Sequence, residues 1–260
     1  MNREEFDRLV GLAEAGFASE GELKKLEPYR VKRAIFLAAG MGTRLKPITV
    51  NTPKPLVRVN GKRIIETMID ACLGIGIAEI YIVRGYLAEE FGVLLKKYPM
   101  IKFIENLEYD VANNISSAVK SCHFFENAYV LEADLLVVNP KILRKYHYDS
   151  DVLGIWKPHS DDWCLVPDAD QYVASEIVGG DNCYQMVGIY YWNKQDARAL
   201  MRDLNEVYYN MPGGLNRYWE TIPNQVYQGK YRIKIVPCRQ TDVVEIDTFE
   251  ELKQIDKSYL

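Results

Sequence analysis

Residues 37–54 read LAAGMGTRLKPITVNTPK, an apolar strand end running into small residues and then two cations, Arg44 and Lys54. In open α/β sheets, ligands bind beyond the carboxyl ends of the strands, at the point where strand order reverses. Leu37, Ala38, Ala39, Gly40, Met41, Gly42 and Thr43 therefore fall where a ligand would sit. Glycines let the backbone approach closely, and consecutive N–H groups can surround phosphate oxygens. Arg44 adds a fork-shaped donor and Lys54 a point charge. A bare GxG is better explained by a structural turn, and Lys54 can be read as a solvated loop lysine. Against the second, Pro53 and Pro55 flank Lys54 and restrict the backbone that aims it.

Outward from this loop, apolar strands alternate with amphipathic helices. AIFLAA, EIYIVRGY, IKFIEN and AYVLEADLLVV read as buried strands, and KRIIETMIDACLGIG, FGVLLKKYP and NNISSAVKSCHFFE as helices. That order predicts a mostly parallel, Rossmann-like α/β sheet covered by helices on both faces. Beyond it, DVLGIWKP, WCLVPD, QYVASEIV and CYQMVGIYYW read as four strands without intervening helices, an antiparallel extension. Helices are expected at KQDARALMRDLNEVYY, LNRYWETIPNQVY and TFEELKQIDKSY, with strand YRIKIVP between the last two. Residues 1–32 carry helical spacing (Phe6, Leu9, Val10, Ala13, Phe17) and read as an N-terminal helical extension to a domain of residues 33–260.

Composition narrows the function. A hydrophobic content of 48% supports a sizeable core, and a net charge of −4 without a basic stripe argues against nucleic-acid binding. Five scattered cysteines without a CxxC pair fit neither a disulfide framework nor a zinc site. With no membrane span and no charged-then-apolar start in MNREEF, a cytoplasmic location is expected.

The long match G-x-G-T-R…P…T-x-N-T-P-K-P-L-V resembles the nucleotide-binding segment of the sugar-nucleotide pyrophosphorylase-like nucleotidyltransferases. From about Arg33 onward, VRGY, NNISS, EAD, DDW, RYWE and EIDTFEEL follow in the order of the bacterial CTP:phosphocholine cytidylyltransferases. The resemblance implies CTP and phosphocholine as substrates, Mg²⁺ as cofactor and CDP-choline with pyrophosphate as products. It implies Arg44 on the β,γ-phosphates and Lys54 where the two phosphates meet. Asp134 and Asp247, each at the end of an apolar run, are implied as Mg²⁺ ligands, with Glu132 a weaker third. Asp247 also reads as a cap for the following helix, and Asn113 and Asn114 as caps for theirs. Gly85, Tyr86, Asn113, Asn114, Ser116 and Ser117 are expected around the base.

A trimethylammonium is recognised by aromatic faces and nearby carboxylates. Asp161–Asp162–Trp163 and Tyr218–Trp219–Glu220, with Tyr190 and Trp192 on one strand face, suggest such a cage. Phosphoethanolamine, 2-aminoethylphosphonate or a sugar 1-phosphate remain open as substrates. So do a catalytically silent nucleotide sensor and a homo-oligomer.

Overall fold

A computed structural model describes all 260 residues. The chain begins with α1 (Arg3–Glu14) and α2 (Glu20–Leu26). Asn2 caps α1 through the Glu5 N–H, and Ser19 with Glu22 forms a capping box on α2. Phe6, Leu9 and Leu26 close over Tyr146 in a small apolar cluster. These two helices lie at the amino-terminal end of the central strands, where the Lys32 N–H donates to the Asn127 carbonyl.

The first strand is β1 (Arg33–Leu37), followed by a short ribbon, β2 (Arg58–Val59) and β3 (Lys62–Arg63), and by α3 (Ile64–Gly74). Then come β4 (Glu79–Arg84), β5 (Ile101–Glu105), α4 (Ile115–Ser121) and β6 (Ala128–Glu132). The sequence FGVLLKKYP lies in a 3₁₀ turn over Ala88–Lys96 rather than an α-helix. The second half holds β7 (Leu135–Val137), β8 (Asp151–Pro167), β9 (Val173–Trp192) and α5 (Lys194–Asn210). It ends with β10 (Lys234–Cys238), β11 (Val243–Glu245) and α6 (Phe249–Ile255). No helix is long and apolar enough to cross a membrane.

Seven strands form one sheet in the order β10-β8-β9-β6-β1-β4-β5. β1 pairs in parallel with both β4 and β6, Arg33 facing Glu79 on one side and Ala128 on the other. The chain builds outward from β1 through β4 to β5 and then returns to β1's other side, so strand order reverses between β1 and β6. The alternation of β1 explains its double burial. Ala34 and Phe36 join the core under α3, while Ile35 and Leu37 join the core under α4 and α5. The expected α/β class with helices on both faces is what the fold shows.

Three expectations change in detail. The four predicted antiparallel strands are two long ones, β8 and β9, paired antiparallel and continuous with the parallel half through β6 and β9. Gly179 and Asn182, at φ of 70° and 50°, lie within β9 between the segments QYVASEIV and CYQMVGIYYW, which run on as one strand. AYVLEADLLVV splits after Glu132, because Leu135–Val137 leaves the main sheet to pair with β11. The helix expected at LNRYWETIPNQVY is instead a 3₁₀ turn, a loop and a π-helical turn over Ile222–Val226, consistent with Pro223 lacking a donor N–H.

Candidate active site

The glycine loop leaves β1 at Ala38 and is fastened from two sides. Gly42 has φ of 57°, and a Cβ there would lie 2.9 Å from Cβ of Lys54, so glycine is required for the loop to lie against the lysine. Thr49 Oγ1 donates to the Gly42 carbonyl at 2.8 Å, and the Tyr86 hydroxyl donates to the carbonyls of Thr49 and Val50. Tyr86 thus braces the loop from behind rather than facing a base, a correction to its expected role. Met41 likewise points outward and is 42% exposed, outside the cleft wall.

The opposite wall is set by strand register. β7 and β11 run antiparallel with Leu135 facing Glu245, which brings the residues just beyond, Asp134 and Asp247, to the same place. A small core of Leu45, Val57, Ile246 and Leu252 locks this pair of strands and α6 to the glycine loop. Thr248 and Glu251 form the capping box of α6, so the cap role considered for Asp247 falls to its neighbour.

Lys54 Nζ donates to Asp134 Oδ2 and to Asp247 Oδ1, both at 2.8 Å, and Arg44 Nη2 donates to Asp247 Oδ1 at 2.8 Å. The Lys54 side chain is only 10% exposed. Burial alone would lower its pKa, but the Asp134 and Asp247 carboxylates outweigh it and hold the ammonium above the usual lysine range. Oxygen atoms of Asp134, Asp247 and Glu245 lie within 4.8 Å of one another. Protein crowded round the Glu245 carboxyl, and then the charges of Asp134 and Asp247, push it up to about 8. Hard carboxylate oxygens so grouped suit Mg²⁺, which takes one or two carboxylates and leaves positions for phosphate and water. Glu132, the third carboxylate expected there, turns aside. Its Oε1 accepts from Trp219 Nε1 at 3.2 Å and Asn114 Nδ2 at 3.4 Å.

Two cavities meet over this cluster. One, of about 420 Å³, runs along the glycine loop past Lys54 to Asn106, Asn113, Ser116 and Ser117. Asn106 is buried and donates to both serine hydroxyls, at 2.9 and 3.0 Å, while Ser116 Oγ donates to the Asn113 carbonyl. Gly85 lies behind this wall, where a Cβ would stand 2.7 Å from the Tyr109 ring and 2.8 Å from the Asn106 carbonyl. Asn106 and Tyr109 were missed from sequence. The only signal was that they follow the end of the IKFIE strand, as Gly40 follows β1.

The second cavity, about 810 Å³, opens between β8, β9 and the 218–221 loop. Asp161, Asp162, Trp163, Tyr218 and Glu220 line it, as do the unforeseen Glu176 and Glu245. Trp163 and Tyr218 meet edge to face at 5.7 Å. Trp219 does not join them: it is fully buried, packed against Tyr190 and Trp192 in the core. Tyr190 and Trp192 are also without exposed surface. The expected cage of tryptophans is therefore corrected to one aromatic pair, because the end of β9 is buried on both faces and Trp219 packs against it. Asn114 joins the two cavities. It does not cap α4 with its side chain, but donates to Glu220 at 3.1 and 3.2 Å and accepts from the Trp219 N–H at 2.9 Å. Burial, then the neighbouring Glu220 carboxylate, raises Glu132 well above the usual carboxylate range, and burial raises Glu220 as well. Two such carboxyls share a proton more readily than they hold two charges.

A parallel sheet ending in a glycine loop, with a lysine held between two strand-end aspartates, defines a nucleotidyltransferase. Residues 33–152 match the nucleotidyl transferase family model. A 2-aminoethylphosphonate cytidylyltransferase from Lancefieldella rimae is 34% identical over 87% of this chain and 93% of its own length. A choline-phosphate cytidylyltransferase from Haemophilus influenzae is 31% identical over 85% and 95%. The solved structure of the CTP:phosphocholine cytidylyltransferase from Streptococcus pneumoniae superposes with a TM-score of 0.79 at 28% identity, covering 89% of this chain and all of that one. The chain belongs to this nucleotidyltransferase family, among its bacterial cytidylyltransferases.

Proposed function

We propose that the protein transfers CMP from CTP to a small phosphonate or phosphate bearing an amine, with a primary ammonium such as that of 2-aminoethylphosphonate preferred. The observation that carries this reading is the charge of the second cavity. Eight of its seventeen lining residues are acidic and one, Arg44, is basic. Arg44 is already paired with Asp247. A primary ammonium satisfies its N–H groups on carboxylates, which abound here, whereas a quaternary one depends on aromatic faces. With Trp219, Tyr190 and Trp192 in the core, one aromatic pair remains. The similarity to a 2-aminoethylphosphonate enzyme supports the same choice. Phosphocholine is the second reading, favoured by the Trp163–Tyr218 pair and by the choline-phosphate relatives.

In this reading the acceptor's phosphonate or phosphate oxygen attacks the α-phosphorus of CTP, and the bond to the bridging oxygen of pyrophosphate breaks. The nucleophile is already ionised at neutral pH, so no general base is needed; catalysis comes from alignment and charge neutralisation. Lys54 sits where the two anions would meet and balances their approach. Arg44, at the rim, holds the β,γ-phosphates, and the Gly40–Thr43 backbone surrounds them. The base extends toward Asn113, Ser116 and Ser117. Asp134 and Asp247, with Glu245 adjoining, would hold Mg²⁺, which supplies Lewis-acid stabilisation of phosphate charge. The test is pyrophosphate release from each of four nucleoside triphosphates with 2-aminoethylphosphonate, phosphoethanolamine, phosphocholine and glucose 1-phosphate. Turnover confined to CTP, with the primary amines ahead, is the expected result; preference for glucose 1-phosphate overturns it.

A further inference from the structure

Glu176 lies on β9, outside every motif that the nucleotide chemistry uses. It lines the second cavity although the residue is only 6% exposed. Its Oε2 accepts from Asn224 Nδ2 at 2.6 Å and its Oε1 from Gln225 Nε2 at 3.2 Å. Both partners are neutral amides, so this carboxylate has hydrogen bonds but no cation of its own. Glu220, also buried on the same cavity, accepts from another neutral amide, that of Asn114. A buried carboxylate without a cation is costly unless a ligand supplies the charge. Each Glu176 oxygen keeps a further acceptor site beyond the amide it already serves.

We propose that Glu176 is the specificity-determining carboxylate of the amine pocket, its two oxygens fixed by Asn224 and Gln225 so that they accept N–H donors from the substrate's ammonium. The assignment rests on the CMP-transfer reading above and deepens it. Asn224 and Gln225 act as positioning residues, set by the π-helical turn that replaces the expected helix. Asn224 in turn donates to the Tyr190 hydroxyl, which gives buried Tyr190 a supporting place behind the pocket. Burial raises Glu176 above the usual carboxylate range, as befits a group still short of its counter-charge.

The test compares 2-aminoethylphosphonate with ethylphosphonate, which lacks the amine, in the full chain with CTP and Mg²⁺. Glu176→Gln should lower the ratio of kcat/KM for the amine substrate over ethylphosphonate by about 100-fold, the scale of a lost charge-assisted hydrogen bond. Glu176→Asp, which keeps the charge, should retain preference for the amine with a raised KM. An unchanged ratio of the two substrates in Glu176→Gln overturns the assignment. If that variant does not fold by circular dichroism, Glu176→Asp decides: a KM raised for the amine but not for ethylphosphonate supports the assignment, and no change in either overturns it. Wild-type protein that turns over no amine with CTP overturns the parent reading as well, and is told apart because it needs no variant.

Discussion

Replacing Lys54 by methionine keeps the buried stem and removes only the ammonium. Two contacts of 2.8 Å are lost, and Asp134 and Asp247 are left facing each other with Arg44 as their remaining cation. Like charges within the 4.8 Å spanned by this cluster repel by about 3 kcal/mol at an effective dielectric of about 20. The carboxylates are 25% and 23% exposed, so water at the mouth reduces this to about 1–2 kcal/mol. For a chain of this size that is a fall in Tm of about 3–6 °C without metal. Because Mg²⁺ would no longer compete with the ammonium, its addition should raise the Tm of the variant more than that of the wild type. Turnover should nevertheless fall by about 10²–10³-fold, with the KM for CTP altered by only a few-fold, since the charge matters most as the two anions approach. Differential scanning fluorimetry with and without Mg²⁺, beside steady-state pyrophosphate release, reads both effects. A normal kcat with only a raised KM, or an Mg²⁺ shift no larger than in the wild type, refutes the reasoning.

Asp134→Asn and Asp247→Asn should each abolish Mg²⁺-dependent turnover and shrink the Mg²⁺-induced rise in Tm, while circular dichroism stays native; wild-type rates would remove that residue from the metal site. Trp163→Ala or Tyr218→Ala should raise the KM for phosphocholine more than for 2-aminoethylphosphonate, and equal effects would deny the aromatic pair a part in choosing the substrate. Deleting residues 1–29 should lower the Tm by uncovering Tyr146 but leave kcat within about two-fold, because these helices lie at the end of the sheet away from Lys54; a folded but inactive truncation contradicts this. Asp151 is buried, and although burial raises its pKa, the His147 and Arg144 contacts outweigh that and hold it low. Its contribution is present above pH 3.8 and is lost as the pH falls through its native value, so the deficit of Asp151→Asn, about 3 kcal/mol at pH 7, should narrow below pH 3.8 in urea titrations.

The parallel half was legible because a strand buried on both faces is a continuous apolar run, as in AIFLAA. Arg44 and Lys54 were legible because the glycine loop that carries them follows such a run, and Asp134 and Asp247 because each ends one. The antiparallel half was harder. Its four short apolar runs read as separate strands, yet β8 and β9 each continue across the polar gaps between them, with register irregularities in their pairing. Trp219 looked like Trp163 in sequence, each beside acids; whether an indole faces a cavity or the core depends on the path of the 218–221 loop, which local spacing does not encode. Glu176 carried no signal of its own and Asn106 only its place after a strand, since a single polar residue within or just after a strand is ordinarily a solvated one.

The hairpin of β8 and β9 gives the second cavity seven of its lining residues and the first cavity none. In the proposed reading, nucleotide chemistry and acceptor choice are therefore written on separate stretches of chain that touch only at shared boundary residues such as Asn114 and Asp134. Changes within residues 151–192 can retune which acceptor is admitted without altering the loop that handles the triphosphate. A scaffold divided this way can pass from one acceptor to another by small steps, each leaving a working nucleotide site, and that separability offers a physical route by which relatives of one fold come to serve different amines.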